Sequence, residues 1–283
     1  MSDVVEDFYD RQSEQEWQRL ATSLSRLEFC GTLRLVEKYF PQAGSVCDVG
    51  GGPGRYTIEL LRRGYDVTLV DLSAALLERA RVELKNAQLA VGRIVQSNAT
   101  DLGQIETGCY NAALMLGPLY HLVEPGQRAL ALRELHRILR PGGIAIVAYL
   151  NSWGILRCGI ADFPHRYGDQ EFVASMLHEK VFKGQLEGFT ECYWSTPPAA
   201  LSEVKRAGFE IVSSAGAEGF VGGMRPMVER IVVDHPEVLP SLERMVAETC
   251  ELPQYKDSTE HLCIVVRKVM APKDGVTYSE SGR

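Results

Sequence analysis

The stretch that most constrains the fold runs from Ser45 to Ser73 and reads SVCDVGGGPGRYTIELLRRGYDVTLVDLS. Val46, Cys47 and Val49 mark a buried strand that breaks into Gly50, Gly51, Gly52 and Gly54 before the chain resumes as a helix. A second apolar strand, Asp66 to Val70, ends on Asp71. The pattern is a β-turn-α-β unit with a glycine loop at the carboxyl end of its first strand. In open α/β sheets, ligands settle in the crevice outside those strand ends. Glycines let a ligand approach the backbone, and the amides opening the next helix favour anionic groups. An acidic residue at the tip of the second strand is placed to accept hydrogen bonds from a ribose diol. The unit is built for an adenosine-containing ligand.

The loop spacing separates the candidates. A dinucleotide loop reads GxGxxG, but counting from Gly50 puts Gly52 second and Arg55 last. Here the glycines fall at Gly50, Gly52 and Gly54, with Asp48 before them. An acid at the loop entry suits a ligand with a positive amino group better than a pyrophosphate. Taken whole, DVGGGPG resembles the class I S-adenosylmethionine-dependent methyltransferases. The resemblance continues along the chain. Arg93 to Gln96 reads as a third strand followed by SNATDL, and Asn111 to Leu116 as a fourth running into GPLYHL. Glu124 to Leu139 reads as a helix ending RILRPGG, stopped by Pro141 and Gly142, before a fifth strand at Ile144 to Leu150. The run of helix, RxLxPGG and apolar strand is a specific mark of that family.

The resemblance implies an α/β fold: a doubly wound, seven-stranded, mostly parallel sheet in the order 3-2-1-4-5-7-6, with the hairpin partner listed last antiparallel. An amino-terminal helical cap and a lid insertion after strand five would complete it. The implied cofactor is S-adenosyl-L-methionine, leaving as S-adenosyl-L-homocysteine. By position in the motifs, Asp48, Gly50, Gly52 and Gly54 would meet the methionine end and Asp71 the ribose. Leu72, Asn98 and Ala99 would frame the adenine, Asn98 standing where the family usually carries an acid. Leu116 and Gly117 would lie beneath the sulfonium. A nicotinamide-dependent oxidoreductase is disfavoured by the missing GxGxxG and the presence of RILRPGG. A fold member that binds the cofactor without transferring its methyl group stays open.

Residues 1–44 are expected to form the cap, because Trp17, Leu20, Leu24 and Leu27 recur at helical spacing. Phe8, Tyr9, Trp17 and Arg19 are its candidate contacts, with Tyr9 the one assigned to the ligand. Residues 45–270 form the cofactor-binding domain, with 151–200 as the aromatic-rich lid. That segment is too long for a simple connection, which takes about two to six residues. A helical insertion is expected over Asp169 to Phe182, a helix over Pro197 to Phe209 and strand six over Glu210 to Ser213. A second cover is expected over Gly219 to Val238, a last helix over Pro240 to Glu251 and a buried final strand over His261 to Val269. Residues 271–283 are polar and read as a flexible tail.

Methyl transfer from a sulfonium is an in-line displacement in which positioning supplies roughly 7–11 kcal/mol of barrier reduction. His121 in GPLYHL is the candidate base, since an unperturbed imidazole with a pKa of about 6.5 suits proton abstraction near neutrality. Tyr120 beside it is a second catalytic candidate. Tyr149, His165, Tyr193 and Trp194 are the candidate substrate contacts, stacking on or burying a planar or apolar molecule. Arg55 is expected to face solvent. The (D/N)-P-P-(Y/F/W) run of nucleic-acid amino methyltransferases is missing after strand four, and the net charge is −7. Both features point away from nucleic acid. A small-molecule acceptor, aromatic or apolar and methylated at oxygen or nitrogen with carbon also open, is the expected partner. Seven scattered cysteines without a CxxC pair argue for reduced thiols and no metal. No membrane partner and a cytoplasmic location are expected, since no apolar run is long enough to span a bilayer.

Overall fold

The computed structural model describes residues 3–182 and 190–269. The expected tail, and Phe189 of the aromatic segment, lie outside the described residues. The chain opens with helices α1 (Asp3–Arg11), α2 (Ser13–Leu20) and α3 (Ser23–Tyr39). The expected helical cap is thus three helices, with the Trp17–Leu27 periodicity divided between α2 and α3. Thr22 caps α3, its hydroxyl accepting from the Ser25 amide at 3.4 Å. Trp17 and Leu20 ride on α2, Leu24 and Leu27 on α3, and only the latter two are buried.

The nucleotide-type unit follows as β1 (Ser45–Val49), α4 (Arg55–Arg62), β2 (Asp66–Asp71), α5 (Ala74–Asn86) and β3 (Arg93–Gln96). Next come β4 (Tyr110–Met115), α6 (Pro118–His121), α7 (Pro125–Ile138) and β5 (Leu139–Asn151). After β5 the chain forms α8 (Ser152–Asp162), α9 (Gln170–Ser175), β6 (Lys180–Phe182) and β7 (Cys192–Ser195). It then forms α10 (Pro197–Arg206), β8 (Phe209–Gly216), α11 (Arg225–Asp234), α12 (Leu239–Thr249), α13 (Pro253–Lys256) and β9 (His261–Lys268).

Strands β3-β2-β1-β4-β5 lie side by side in parallel, and β9 and then β8 continue the sheet from the length of β5. Counted over these seven strands, the order is the expected 3-2-1-4-5-7-6. The antiparallel strand is β9, which runs against both β5 and β8, so edge strand β8 points the same way as β5. That corrects the expectation of an antiparallel strand at the edge. The insertion also departs from the expected helix over Asp169 to Phe182. Only α9 is helical there, because Lys180–Phe182 pairs with β7, and the Phe182 ring packs on Trp194 with centroids 4.2 Å apart. β7 itself joins the end of β5 through Leu150↔Trp194 and Asn151↔Ser195, extending the sheet to nine strands among the described residues.

Both faces of the sheet are covered, so its central strands are apolar on both sides, as a parallel sheet requires. Cys47, Val49, Ala145, Val147 and Tyr149 point towards Leu132 and Leu135 of α7 and Val204 of α10. Val46, Ile146 and Ala148 point towards Leu35 and Val36 of α3 and Leu60 of α4. One ion pair is sunk in the first of these layers. Arg128 of α7, 4% exposed, donates from Nε to both carboxylate oxygens of Glu203 of α10, at 2.9 and 3.1 Å. Its Nη1 donates to the carbonyls of Leu122 and Val123, and its guanidinium sits 3.6 Å from the Tyr193 ring centroid. Removing one partner of a buried pair strands the other charge, at a cost of about 3–5 kcal/mol. Arg128→Met is expected to lower the unfolding free energy by that amount in urea denaturation followed by circular dichroism. An unchanged midpoint would show that α7 and α10 are joined by apolar packing alone.

Candidate active site

A cavity of about 630 Å³ opens at the carboxyl ends of β1, β2, β4 and β5. Its floor is the loop after β1. Gly50 has a φ of 71°, and a β-carbon there would fall 2.5 Å from the Pro118 ring. One on Gly51 would fall 2.4 Å from Leu69 and 2.6 Å from the Asp48 carboxylate. The loop therefore lies flat only because both residues lack side chains. The amides of Gly50 and Gly51 both donate to the Val70 carbonyl, at 2.7 and 3.1 Å, tying the loop to the neighbouring strand.

Two carboxylates stand at this edge. Asp71, at the tip of β2, accepts from the Gly52 amide at 2.8 Å and from the Ser73 amide at 2.9 Å. Asp48, 2% exposed in β1, accepts from the Thr57 hydroxyl at 2.7 Å. Burial pushes each up to about 6, against the pull of these hydrogen bonds and, for both, with a further push from a nearby acid. Buried carboxylates raised in this way gain from any ligand that brings hydroxyl or ammonium donors. The flat backbone and the acidic rim thus fit the ribose and amino groups of an adenosylated amino acid.

The cap is fastened over the cavity by polar contacts. The Tyr9 hydroxyl of α1 lies 2.8 Å from Nε2 of His121, and Nδ1 of His121 lies 3.2 Å from the Glu191 carbonyl. A carbonyl only accepts, so Nδ1 carries the proton and Nε2 accepts from Tyr9. Burial pushes the His121 pKa down to about 4, leaving the ring neutral across the physiological range. Asp10 accepts from the Ser73 hydroxyl at 2.5 Å and from the Ala75 amide at 3.2 Å, while Glu14 pairs with Arg79 of α5.

Of the residues singled out from sequence, Tyr9, Asp48, Gly50, Gly52, Asp71, Leu72, Leu116, Gly117, Tyr120, His121 and Trp194 line this cavity. Others are elsewhere. Gly54 caps α4 at a φ of 83°, its β-carbon position 3.3 Å from Ala80, so it closes helix against helix. Asn98 and Ala99 follow β3 outside the cavity lining, and the Asn98 amide oxygen accepts from the amide and hydroxyl of Thr100. Tyr149 and Tyr193 do not reach the cavity, because alternation along β5 and β7 turns them to the opposite face. Tyr149 donates to Glu203 at 2.9 Å, and Tyr193 lies under Arg128. His165 sits in a 3-10 turn of the insertion, also outside the lining. Arg55 belongs to the wall and not to solvent, its guanidinium 4.2 Å from the Phe29 ring centroid. Sequence reasoning missed Glu28, Glu218, Glu260 and His261, which come from separated parts of the chain and share one wall. His261 was the one with a usable signal. Because β9 runs antiparallel to β5, its first residue pairs with Leu150 at the catalytic edge.

Residues 46–143, from β1 into the start of β5, match the family model described as a methyltransferase domain. Over those residues the chain carries a methyltransferase domain. It is 33% identical to glycine/sarcosine N-methyltransferase of Parasynechococcus marenigrum over 162 residues, 56% of this chain and 55% of that protein. The chain thus spans little more than half the length of that relative. It is 26% identical to the tRNA 5-carboxymethoxyuridine methyltransferase of Escherichia coli over 192 residues, 66% of this chain and 67% of that one. The crystal structure of Burkholderia thailandensis 1,6-didemethyltoxoflavin-N1-methyltransferase, with its named substrate and S-adenosylhomocysteine bound, shares the fold. It aligns with a TM-score of 0.56 at 18% identity, over 92% of this chain and 84% of that one.

The raised carboxylates give this site a pH signature. A carboxylate that must be ionised to hold the cofactor and has a pKa of about 6 is mostly protonated at pH 5. S-adenosylmethionine affinity is expected to fall about 10-fold between pH 7.5 and pH 5 for each such group. Calorimetric titration at the two pH values measures it, and a flat response would mean that neither carboxylate meets the ligand in its charged form.

Proposed function

We propose that this methyltransferase moves the methyl group of S-adenosylmethionine to a nitrogen or oxygen atom of a small molecule. The observation that carries the reading is the continuity of the cavity. The space over the glycine loop runs unbroken into a chamber walled by Tyr120, Ile155, Phe163 and Trp194 under the cap. The cofactor supplies an electrophilic methyl carbon. The acceptor's lone pair forms the new bond, the sulfur keeps the electrons of the broken one, and the acceptor's proton passes to water.

The residues of the chain bind, orient and exclude water. Asp48 and Asp71 hold the cofactor end, and helices α1 and α2 roof the reaction space. His121 is better suited to positioning than to proton transfer. A base works best with a pKa near the working pH, whereas burial takes this imidazole down to about 4 and Nε2 is already engaged by Tyr9. The ring anchors Tyr9, and with it the cap. The prediction is that His121→Asn slows turnover without removing any inflection from the pH–rate profile between pH 6 and 8. Loss of an inflection near pH 6.5 in that variant would return His121 to the role of base.

A chamber enclosed by the cap and a net charge of −7 favour a small acceptor over a polyanion. The relative named for tRNA supplies the competing acceptor. Radiolabelled S-adenosylmethionine should be offered with panels of amines, phenols and carboxylic acids, and separately with bulk tRNA. Label is expected in a small molecule. Label in tRNA alone would overturn the small-molecule reading, and label in neither would leave a cofactor-binding protein without transfer.

A further inference from the structure

The acceptor half of the cavity is chemically lopsided. Along one side, Leu150, Ile155, Phe163 and Trp194 present an apolar wall, with the Phe163 and Trp194 rings stacked 6.5 Å apart at 20°. The other side is acidic. Glu28 of α3, Asp162 of α8, Glu218, Glu229 of α11 and Glu260 all line it, against the cations His261 and Arg225. Nearer the cap, Arg19 pairs with Glu16, and Arg55 stacks on the Phe29 ring with its charge felt by Glu28.

Pairing uses up Arg225 and His261. Arg225 spans Asp162 at 3.4 Å and Glu260 at 3.3 Å. His261 Nδ1 is 2.5 Å from one oxygen of Glu218, and its backbone amide donates to the other at 3.3 Å. Burial opposes a charged imidazole, but Glu28, Glu218 and Glu260 outweigh it and push His261 up to about 10. Glu229 is exposed at the rim. Among the described residues, no hydrogen bond or ion pair ends on the Glu28 carboxylate, although ligand atoms of Glu28, Glu218 and His261 lie within 4.8 Å of one another. A divalent cation fits this group poorly, since a protonated imidazole cannot ligate. A half-buried carboxylate inside the chamber, beside a pair already neutralised internally, is complemented by a ligand cation.

We propose that the acceptor is an amine, with an aromatic or apolar body against Phe163 and Trp194 and its amino group at Glu28, bound as the ammonium and releasing one proton to water before its lone pair attacks. This rests on the methyltransferase reading, because that reading places the acceptor in this chamber. Neutral alcohols of the same shape would gain no charge pairing with Glu28, and anionic isosteres would meet the carboxylate wall directly.

The test compares isosteres on the full chain loaded with S-adenosylhomocysteine, whose own binding is measured first. The probes are 2-phenylethylamine against 2-phenylethanol, tryptamine against tryptophol, and 3-phenylpropionate as the anion, titrated by calorimetry into wild type and Glu28→Gln. At least one amine is expected to bind 10-fold or more tightly than its alcohol, and E28Q to cut that preference below 3-fold with S-adenosylhomocysteine affinity retained. Equal binding within every pair, a preference for the anion, or an amine preference that survives E28Q would overturn the proposal. Micromolar Mn²⁺ binding lost in E28Q, with no amine preference, would also overturn it and reassign the group to a metal. If E28Q does not fold, the wild-type comparison within pairs decides. Failure of the cofactor product to bind counts against the methyltransferase reading alone, because the amine–alcohol preference can still be read on the unloaded chain.

Discussion

Two buried negative charges at the ends of adjacent parallel strands organise this molecule. Asp48 and Asp71 sit on neighbouring strands, β1 and β2, and burial lifts both to about 6. A shift of that size corresponds to a net cost of roughly 3 kcal/mol for the ionised form at each, with the hydrogen bonds they accept already counted. The surrounding architecture keeps that cost from being larger. The glycine loop folds so that the Gly52 amide reaches Asp71, α4 opens so that Thr57 reaches Asp48, and α5 opens on the Ser73 amide. What these bonds leave uncompensated is binding capacity, directed at a ligand rich in donors.

The cap follows from the same edge. Helices α1 and α2 together bury only Val5 fully, so apolar packing contributes little to holding them down. Their attachment is polar: Tyr9 to His121, Asp10 to the start of α5, and Glu14 to Arg79. Polar contacts that water can replace are weak individually, worth about 0.5–1.5 kcal/mol each. A cover held this way can lift to admit ligands and still exclude water when seated.

What could be read from sequence was what is local in the chain. The strand-loop-helix grammar of Ser45 to Ser73 and the apolar final strand each lie within one short string, and each is where it was expected, whereas the PGG run expected to stop a helix lies inside β5, the helix having already ended at Ile138. The substrate wall was not local. Glu28, Glu218, Glu260 and His261 are brought together by α3 packing across the sheet and by the antiparallel return of β9. Nothing in their spacing announces them. Tyr149 and Tyr193 were misplaced for a simpler reason. Residues alternate faces along a strand, so with Leu150 and Trp194 in the cavity their neighbours must face the other way. Aromatic content suggested a stacking surface, and parity decides which of those rings are available to it.

The central claim is that the edge built around Asp48 and Asp71 is an S-adenosylmethionine pocket. Calorimetric titration of the full chain at pH 7.5 with S-adenosylmethionine and, separately, with NADH tests it most directly. The account predicts micromolar binding of S-adenosylmethionine with one site per chain and no heat from NADH. Binding of NADH in its place, or of neither ligand, would contradict it.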